Sequence, residues 1–567
     1  MDKNMTGFPS IDKPWLKYYD SDESALQINA KSVYDYFVQQ KPPMNSVAID
    51  FLGKKITYSQ VLDQIEKTRI KFLSLGIKKG DVVTLCSPMV PEIYYIFFSL
   101  NQIGAVANLL DPRINIEFIE KSIYDTNSRI LIYIDQAYEK MRTIKANEKL
   151  PHVFYLPVSG SFPRALKMLY DIKNRNVFNE LRIIKHYNWL DYKAETSASK
   201  GLNNDVTVDD LAAIVYTSGT TEIPKGALLS NKNIIALTVQ NRISDFGWDR
   251  YDRFLEIMPP FIAYGLLCGI VIPLCIGMQV IVIPKFEQEK FADLIIKYKP
   301  NHIMGVPSMM EDLTKNKKLE KTDLSFLKTV IVGGDKISTT AEKGINKYLE
   351  AHNCTIKLIK GYGMTEMSSN AVFTKSKECN IDGSVGIPLM GNNVKIIDSD
   401  GNELKYGEEG EICLTGPTLI PGYFNNMKLT EQVFVLENNE RWIHSGDIGY
   451  MNEDGILFIE GRIKRMIIRY DGFKVIPRLI EDAICMNSDV KGCAVVGTND
   501  KLHGQGQLPL AWVELYDKAK KDSIKDTLMI LCRTNLPEYE QPVDIMFIDE
   551  LPLTPIGKVD YKALEKM

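Results

Sequence analysis

Residues 216–226 read YTSGTTEIPKG and lie between two apolar runs, Leu211–Val215 and Ala227–Leu229. Short apolar runs bounded by turn residues predict buried strands, so this stretch is predicted to be a loop between two strands. Its glycines and small hydroxyl residues let backbone N–H groups approach phosphate oxygens closely, and Lys225 adds a positive charge. The stretch therefore predicts a phosphate-binding loop. A Ser/Thr-rich turn without a ligand is the alternative, and the Walker pattern does not fit.

Apolar runs and helical patterns alternate on both sides of this loop. Strands are predicted at residues 81–86, 105–110, 129–134, 280–283 and 329–332, with a helix over 91–100. Runs of this length with helices between them are typical of doubly wound α/β layers. The predicted fold class is α/β, with a large N-terminal domain built from such layers.

The pattern changes in the last third of the chain. After about Gly383, short strands and the turns Asp400-Gly401 and Asp454-Gly455 predict a small β-barrel. From Arg462 onward, strands and helices predict a small α+β domain. The predicted domains are residues 1–461, with a β-rich subdomain at about 383–461, and residues 462–567.

Composition excludes several classes of protein. The chain has 567 residues, which is too many for one core, and a net charge of -4 that gives no support for nucleic-acid binding. The chain has nine cysteines, an odd number, and no two of them form a C-x-x-C pair. This argues against a disulfide framework or a zinc cluster. Free thiols in a reducing cytoplasm are the expectation.

Two uncharged stretches are long enough to be examined as membrane spans. They cover Ile93–Leu110 and Gly265–Pro284. Each contains helix-breaking or polar residues, such as Asn101 in the first and Pro273 in the second. Both are predicted to be buried core, so no integral membrane segment is expected.

Residues 163–187 form a locally basic segment with interleaved apolar residues. It carries six basic residues against two acidic ones. A helix on a membrane surface is one interpretation. The preferred interpretation is a solvated helical face that covers an apolar stripe.

Residues 216–226 resemble the signature loop of the adenylate-forming superfamily, which includes acyl-CoA synthetases, peptide-synthetase adenylation domains and firefly-type luciferases. The usual form is YTSGTTGxPKG, and Glu222 departs from it by replacing a glycine. Like charges repel, so Glu222 is expected to point away from the phosphates. The resemblance implies that ATP is bound by the following loop residues: Thr217, Ser218, Gly219, Thr220, Thr221 and Lys225.

The resemblance continues in order along the chain. Residues 360–366, KGYGMTE, resemble the family's GYGxTE. This implies that Tyr362 packs on adenine, that Thr365 meets the α-phosphate and that Glu366 helps to hold Mg²⁺. Residues 333–335, GGD, resemble the loop along the adenine, which adds Gly334 and Asp335 to the ATP site.

Three later motifs complete the set. Residues 442–447, WIHSGD, imply that Asp447 binds the ribose hydroxyls. Residues 461–464, GRIK, imply that Arg462 contacts the ribose and that Lys464 is the hinge of a mobile C-terminal domain. Residues 552–558, PLTPIGK, imply that Lys558 is a catalytic lysine that bridges the acid's carboxylate and the phosphate.

The same resemblance locates the acyl and thiol sites. The acyl pocket is expected to include Ile262, Tyr264, Gly361 and Met364, and the thiol site to include Gly472 and Lys474. Ile262 stands where amino-acid-activating members carry an aspartate, and it cannot pair with an ammonium group. An α-amino acid substrate is therefore disfavoured and an apolar wall is expected.

The resemblance implies an ATP-dependent acid–thiol ligase. A carboxylic acid is activated as acyl-AMP with release of pyrophosphate, and the acyl group then passes to coenzyme A. Two alternatives stay open: an acyl-AMP ligase that loads the phosphopantetheine of a free-standing acyl carrier protein, and a catalytically silent binding homologue.

Overall fold

The computed structural model of the chain describes residues 5–194, 205–217, 224–244, 246–335, 337–471, 473–500, 502–503, 505–554 and 559–567. Mixed α/β architecture fills this part of the chain, and its strands form four sheets. The fold class predicted from alternating apolar runs is therefore confirmed.

The smaller of the two large sheets has seven strands. Their spatial order is Tyr187–Asn188, His152–Leu156, Ile130–Ile134, Val82–Cys86, Val106–Leu110, Leu211–Tyr216 and Gly226–Ser230. All neighbours are parallel except the last pair, which is antiparallel. Parallel strands are buried on both faces, which explains why they read as continuous apolar runs.

The larger sheet joins the central part of the chain to the strands that follow it. Its order is Asn393–Ile397, Gly410–Thr415, Glu440–Met451, Leu457–Arg462, Ser384–Pro388, Val372–Phe373, Ile359–Tyr362, Thr329–Val332, His302–Gly305, Arg253–Glu256, Gln279–Val282, Val47–Phe51 and Lys54–Thr57, with Phe434–Glu437 beside Glu440–Met451. The strands from Val372 to Arg462 pair antiparallel and extend one end of the parallel sheet. The β-rich part is thus continuous with the α/β layers.

Helices pack on these sheets. The α-helices are Pro9–Asp12, Val33–Gln39, Tyr58–Ser74, Pro91–Ile103, Ile116–Asp125, Tyr138–Met141, Arg164–Lys173, Arg175–Ile183, Asn231–Ile243, Ile272–Ile276, Phe291–Tyr298, Pro307–Thr314, Thr339–Ala351, Met427–Val433, Pro477–Cys485, Lys521–Asn535 and Tyr561–Glu565. A π-helix spans Tyr264–Val271. The helix Pro91–Ile103 begins with proline in its first turn and ends at Gly104, whose φ of 82° suits a helix C-terminus.

Both uncharged stretches are core, as expected. Twelve of the thirteen residues of Pro91–Ile103 are buried, and the π-helix leads through Ile272–Ile276 into the buried strand Gln279–Val282. Among the described residues, no helix has both the length and the apolar character needed to cross a membrane.

The chain beyond Arg462 forms its own small sheets. Ile467–Ile468 pairs with Lys474–Val475, and Val490–Asn499, Gln507–Leu515 and Asp544–Ile548 form a three-stranded sheet. A separate apolar core lies between this sheet and the helices Pro477–Cys485 and Lys521–Asn535. The domain boundary near residue 462 and the mobility of this unit stay predictions.

The basic segment forms two helices that bury different amounts of apolar surface. In Arg175–Ile183, Leu181 is buried, and Val177 and Phe178 are partly buried against a core cluster. In Arg164–Lys173 no residue is buried. The prediction of a covered apolar stripe is right for the second helix and wrong for the first, because Leu166, Met168, Leu169 and Ile172 are exposed.

Candidate active site

A β-hairpin carries the predicted phosphate loop. Tyr216 lies opposite Gly226 in the antiparallel pair, and the Thr217 N–H donates to the Lys225 carbonyl over 3.0 Å. The strand Leu211–Tyr216 runs parallel to Val106–Leu110, so the loop lies at the carboxyl edge of parallel strands, where ligands bind in open α/β sheets. Four predicted loop residues lie outside the described residues: Ser218, Gly219, Thr220 and Thr221.

Tyr423 connects this loop to the predicted metal ligand. The Leu228 N–H donates to the Gly422 carbonyl over 3.0 Å, which fixes Tyr423 beside the hairpin. The Lys225 ammonium lies 6.0 Å from the centroid of the Tyr423 ring. The Tyr423 hydroxyl donates to Glu366 Oε1 over 2.5 Å. Lys225 and Glu366, which are 141 positions apart in sequence, therefore contact one aromatic side chain.

Thr365 and Glu366 lie on a tight turn that follows the strand Ile359–Tyr362. Ser368 has a φ of 57°, a left-handed conformation that is uncommon for residues other than glycine. Its hydroxyl donates to the Thr418 carbonyl over 2.7 Å, and the Ile420 N–H donates to the Glu366 carbonyl over 3.0 Å. These bonds anchor the turn to residues 418–420 and fix the position of the Glu366 backbone.

Tyr362, Asp447 and Arg462 form one hydrogen-bonded unit. The Tyr362 hydroxyl donates to Asp447 Oδ2 over 2.8 Å, and Arg462 Nε lies 2.8 Å from Asp447 Oδ1. Asp447 and Arg462 are directly opposite each other on adjacent strands. Burial raises the pKa of the Tyr362 phenol, and the charge of Asp447 raises it further. The predicted adenine and ribose residues are thus brought together.

Glu411 positions the segment that carries Asp447. Its carboxylate accepts a hydrogen bond of 2.9 Å from the Gly446 N–H and lies 3.1 Å from His444 Nδ1. Burial raises the pKa of Glu411, but these hydrogen bonds lower it by more, so the net shift is downward. Sequence reasoning did not identify Glu411. The alternation of polar and apolar residues along the strand Gly410–Thr415 shows which face of the sheet Glu411 occupies. It does not show that the Glu411 side chain reaches Gly446.

Gly334 and Asp335 follow the strand Thr329–Val332 at the same edge of the sheet. Gly334 has a φ of 79°, so a side chain there would be strained. Asp335 is exposed, and its charge is close enough to Arg462 to contribute to the raised pKa of that guanidinium, after the larger effect of Asp447. Asp335 thus lies beside the Tyr362–Asp447–Arg462 unit.

Two of the predicted acyl-pocket residues, Tyr264 and Gly361, lie close to Gly333. A Cβ added to Gly333 would lie 3.3 Å from the Gly361 carbonyl and 3.7 Å from the Tyr264 hydroxyl. Ile262 and Met364 are partly buried hydrophobic residues packed on the same core. The Tyr264 hydroxyl is buried without a hydrogen-bond partner in the described part of the chain. A pocket lined by these residues would have an apolar wall with one polar group.

Glu256 is a buried carboxyl group that sequence reasoning did not single out. Oε1 accepts a hydrogen bond of 2.6 Å from the Met258 N–H, whereas Oε2 has no partner among the described residues. A Cβ on Gly269 would lie 1.9 Å from Oε2, so glycine in the π-helix provides space for this group. Burial raises the pKa of Glu256 well above its usual value. A negative charge on Glu256 would also raise the pKa of the Tyr264 hydroxyl.

Within the C-terminal unit, Arg465 contacts two residues that are distant in sequence. The Arg465 guanidinium lies 3.6 Å from the centroid of the Tyr561 ring and 2.6 Å from Glu481 Oε1. Burial raises the pKa of Tyr561, and Asp335 is close enough to contribute. The chain that follows Lys558 thus lies near Asp335. Lys558 and Gly472 themselves lie outside the described residues.

The predicted hinge and the second thiol-site residue lie on the surface. Lys464 is exposed in the short turn Ile463–Arg465, between the two units. Lys474 is exposed in the strand Lys474–Val475. A contact joins the two units elsewhere, since the Lys315 ammonium lies 3.9 Å from the centroid of the Tyr516 ring.

Two family models match the chain. The model described as AMP-binding enzyme matches residues 36–424, and the one described as AMP-binding enzyme C-terminal domain matches residues 479–558.

Similar proteins extend over nearly the whole chain. A probable 4-coumarate–CoA ligase 1 of Dictyostelium discoideum is 30% identical over 533 residues, 93% of each chain. A long-chain-fatty-acid–CoA ligase of Bacillus subtilis (strain 168) is 27% identical over 96% of each chain. The solved anthranilate CoA ligase AuaEII in complex with anthranoyl-AMP is similar with a TM-score of 0.79 and 20% identity, covering 96% of this chain and 98% of its own.

Proposed function

The chain belongs to the family of AMP-binding enzymes, as an adenylate-forming CoA ligase, and from this membership we propose how its residues join a carboxylic acid to a thiol. ATP and coenzyme A are its co-substrates, and a small-molecule carboxylic acid is the group that it activates. The observation that carries the residue assignment is the contact of Tyr423 with both Lys225 and Glu366. It joins the phosphate loop to the acidic turn at one place.

In the first step, a carboxylate oxygen of the acid attacks the α-phosphorus of ATP and pyrophosphate leaves. Negative charge accumulates where the two anions meet, so the site needs preorganised positive charge and hydrogen-bond donors. Lys225 supplies one cation at the end of the hairpin, together with the donors of the loop. Lys558 supplies the second and bridges the carboxylate and the phosphate. Thr365 donates to the α-phosphate.

The nucleoside is held by the hydrogen-bonded unit of Tyr362, Asp447 and Arg462. Asp447 accepts from the ribose hydroxyls, and Arg462 keeps its carboxylate in place because the two residues are paired across adjacent strands. Gly334 leaves the backbone accessible beside the adenine ring, and Tyr362 packs against it. Asp335 lies at the edge of this site.

Glu366 is the proposed ligand of a magnesium ion. Carboxylate oxygens are the hard ligands that Mg²⁺ prefers, and the Tyr423 hydroxyl uses only Oε1 among the described contacts of this side chain. When bound, the ion would neutralise charge on the triphosphate. The residues present thus fit the group, while Tyr423 holds Glu366 in a fixed orientation.

The acid's hydrocarbon part lies against Ile262, Tyr264, Gly361 and Met364. An apolar wall with a tyrosine hydroxyl that has no partner among the described residues suits an acid with an aromatic or aliphatic body and at most one polar substituent near Tyr264. Ile262 offers no charge for an α-ammonium group. A hydrophobic acid is therefore the proposed substrate class.

In the second step, the thiol attacks the acyl carbon and AMP leaves. Rotation of the C-terminal unit about Lys464 withdraws Lys558 and brings Gly472 and Lys474 to the thiol. Lys464 lies in a short exposed turn between the units, a position typical of a hinge.

Free thiols at all nine cysteines support a reducing, cytoplasmic location.

A panel of acids incubated with ATP, with and without coenzyme A, tests the proposal by mass spectrometry. A hydrophobic acid should give acyl-AMP without coenzyme A and acyl-CoA with it. Acyl-AMP that accumulates in the presence of coenzyme A and passes to a phosphopantetheinylated carrier protein would support the carrier-loading alternative. If no acid yields either product while ATP still binds, the silent homologue would be supported.

A further inference from the structure

The helix Arg164–Lys173, termed the outward helix, has an apolar face exposed to solvent. Leu166 is 46% exposed, and Met168, Leu169 and Ile172 are each 63% exposed. At 3.6 residues per turn these four side chains fall within an arc of about 160°. Scattered exposed apolar residues are ordinary, but a contiguous apolar helix face is a mark of an interaction surface.

The opposite face of the outward helix contacts the protein through Tyr170 and Asp171. Asp171 accepts a hydrogen bond of 2.6 Å from the Ser159 hydroxyl and lies 3.0 Å from the Lys167 ammonium. The Tyr170 ring packs edge-on against Phe162. A surface helix usually turns its apolar stripe toward the core. Here Tyr170 packs on the core, whereas the other four large apolar side chains are exposed.

Positive charge is concentrated in the segment that carries this face. The segment 163–187 has six basic residues against two acidic ones, in a chain whose net charge is -4. Both acidic residues already have partners, since Asp171 pairs with Lys167 and Glu180 accepts from Tyr138. Five of the six basic residues are exposed and take part in no ion pair among the described residues: Arg164, Lys173, Arg175, Arg182 and Lys185.

We propose that the outward helix binds an anionic lipid membrane, lying in the interface plane with Leu166, Met168, Leu169 and Ile172 inserted. Apolar side chains flanked by exposed cations are the chemistry that such a surface recognises. The same basic segment has two further exposed apolar side chains, since Ile183 is 79% and Tyr187 59% exposed. None of these residues is among those assigned to ATP or the acid, so the proposal does not depend on the reaction.

Co-sedimentation of the full chain with lipid vesicles tests this binding. The wild type should bind phosphatidylcholine–phosphatidylglycerol vesicles and should bind pure phosphatidylcholine vesicles much more weakly. The triple variant Met168→Ser, Leu169→Ser, Ile172→Ser should lower the partition coefficient by about tenfold or more. The triple variant Arg164→Gln, Lys173→Gln, Arg175→Gln should lower it by about fivefold for each charge removed, and less at high salt.

A matched control removes equally exposed apolar side chains elsewhere, as Ile11→Ser, Met427→Ser, Leu436→Ser. It should bind vesicles like the wild type, and all variants should keep the wild-type thermal midpoint. Absent binding to anionic vesicles, binding that ignores lipid charge, or an equal loss in the control would overturn the proposal. So would sedimentation that shows a wild-type dimer separated by the apolar triple variant, because a second copy would then cover this face.

Discussion

The Tyr423 hydroxyl donates a hydrogen bond to Glu366 while the ring of the same residue faces the Lys225 ammonium. Because one rigid side chain contacts both charged groups, it sets the spacing between the phosphate loop and the acidic turn. Positioning of this kind is what catalysis by electrostatic preorganisation requires. Tyr423 is thus proposed as a positioning residue of the adenylation step.

Replacing Tyr423 by phenylalanine should weaken the response to magnesium. A hydrogen bond to a charged group contributes about 1.5–3 kcal/mol, so Tyr423→Phe should raise the Mg²⁺ concentration for half-maximal adenylation by roughly tenfold or more. The check is pyrophosphate exchange titrated with Mg²⁺, with Tyr124→Phe at an exposed site as the control. An unchanged magnesium profile with a uniformly lower rate would contradict the positioning role.

Asp447→Asn should reduce recognition of the ribose. The variant loses a charged acceptor, which predicts a rise in KM for ATP of roughly 10–100-fold, or about 1.5–3 kcal/mol. A thermodynamic cycle that combines Asp447→Asn with deoxy analogues of ATP isolates the contact between Asp447 and the ribose. Removing the ribose hydroxyl should weaken binding to the wild type and have little further effect on the variant. Equal losses in both proteins would show that Asp447 acts elsewhere.

The secondary structure around the site could be predicted from sequence because it rests on local patterns. Apolar runs such as Leu211–Tyr216 bury both faces, and the small residues that follow specify a loop. The contact of Tyr423 with Glu366 joins residues 57 positions apart and leaves no local signal beyond an aromatic residue after Pro421-Gly422. The exposure of the outward helix was not predicted, because periodicity predicts an apolar face but not whether that face turns toward the core.

Lys464→Pro should separate the two half-reactions. Proline fixes φ near -65°, a value that suits the short turn Ile463–Arg465, so the arrangement described here should persist. Acyl-AMP formation should stay within a few-fold of wild type, whereas acyl-CoA formation should fall by about 100-fold, because the rotation requires a different backbone dihedral. Single-turnover assays of each step check this, with Lys464→Ala as control. Equal losses in both steps would refute the hinge assignment.

The buried carboxyl of Glu256 should make stability depend on pH. Its pKa is raised in the folded state, so the folded protein keeps a proton that the unfolded chain releases above about pH 4.5. Stability should therefore fall as pH rises above that value, by up to about 1.4 kcal/mol per pH unit below the folded pKa. Glu256→Gln should remove this slope.

Thermal midpoints of wild type and Glu256→Gln, measured across pH 5 to 8, check the assignment. The thermal midpoint of the variant should rise steadily relative to that of the wild type as the pH increases. Glu431→Gln, at an exposed position, should track the wild type throughout. A difference between wild type and Glu256→Gln that stays constant with pH would mean that Glu256 keeps an ordinary pKa.

The central proposal concerns Lys558. Its positive charge, on a mobile part of the chain near the C-terminus, is proposed to let a carboxyl oxygen displace pyrophosphate. The decisive measurement is exchange of labelled pyrophosphate into ATP, without coenzyme A, for wild type and Lys558→Ala with a hydrophobic acid. Exchange should depend on the acid and fall by roughly two to three decades in the variant, about 3–4 kcal/mol, while ATP binding changes little. Absence of exchange with every acid, or equal exchange by the two proteins, would contradict it.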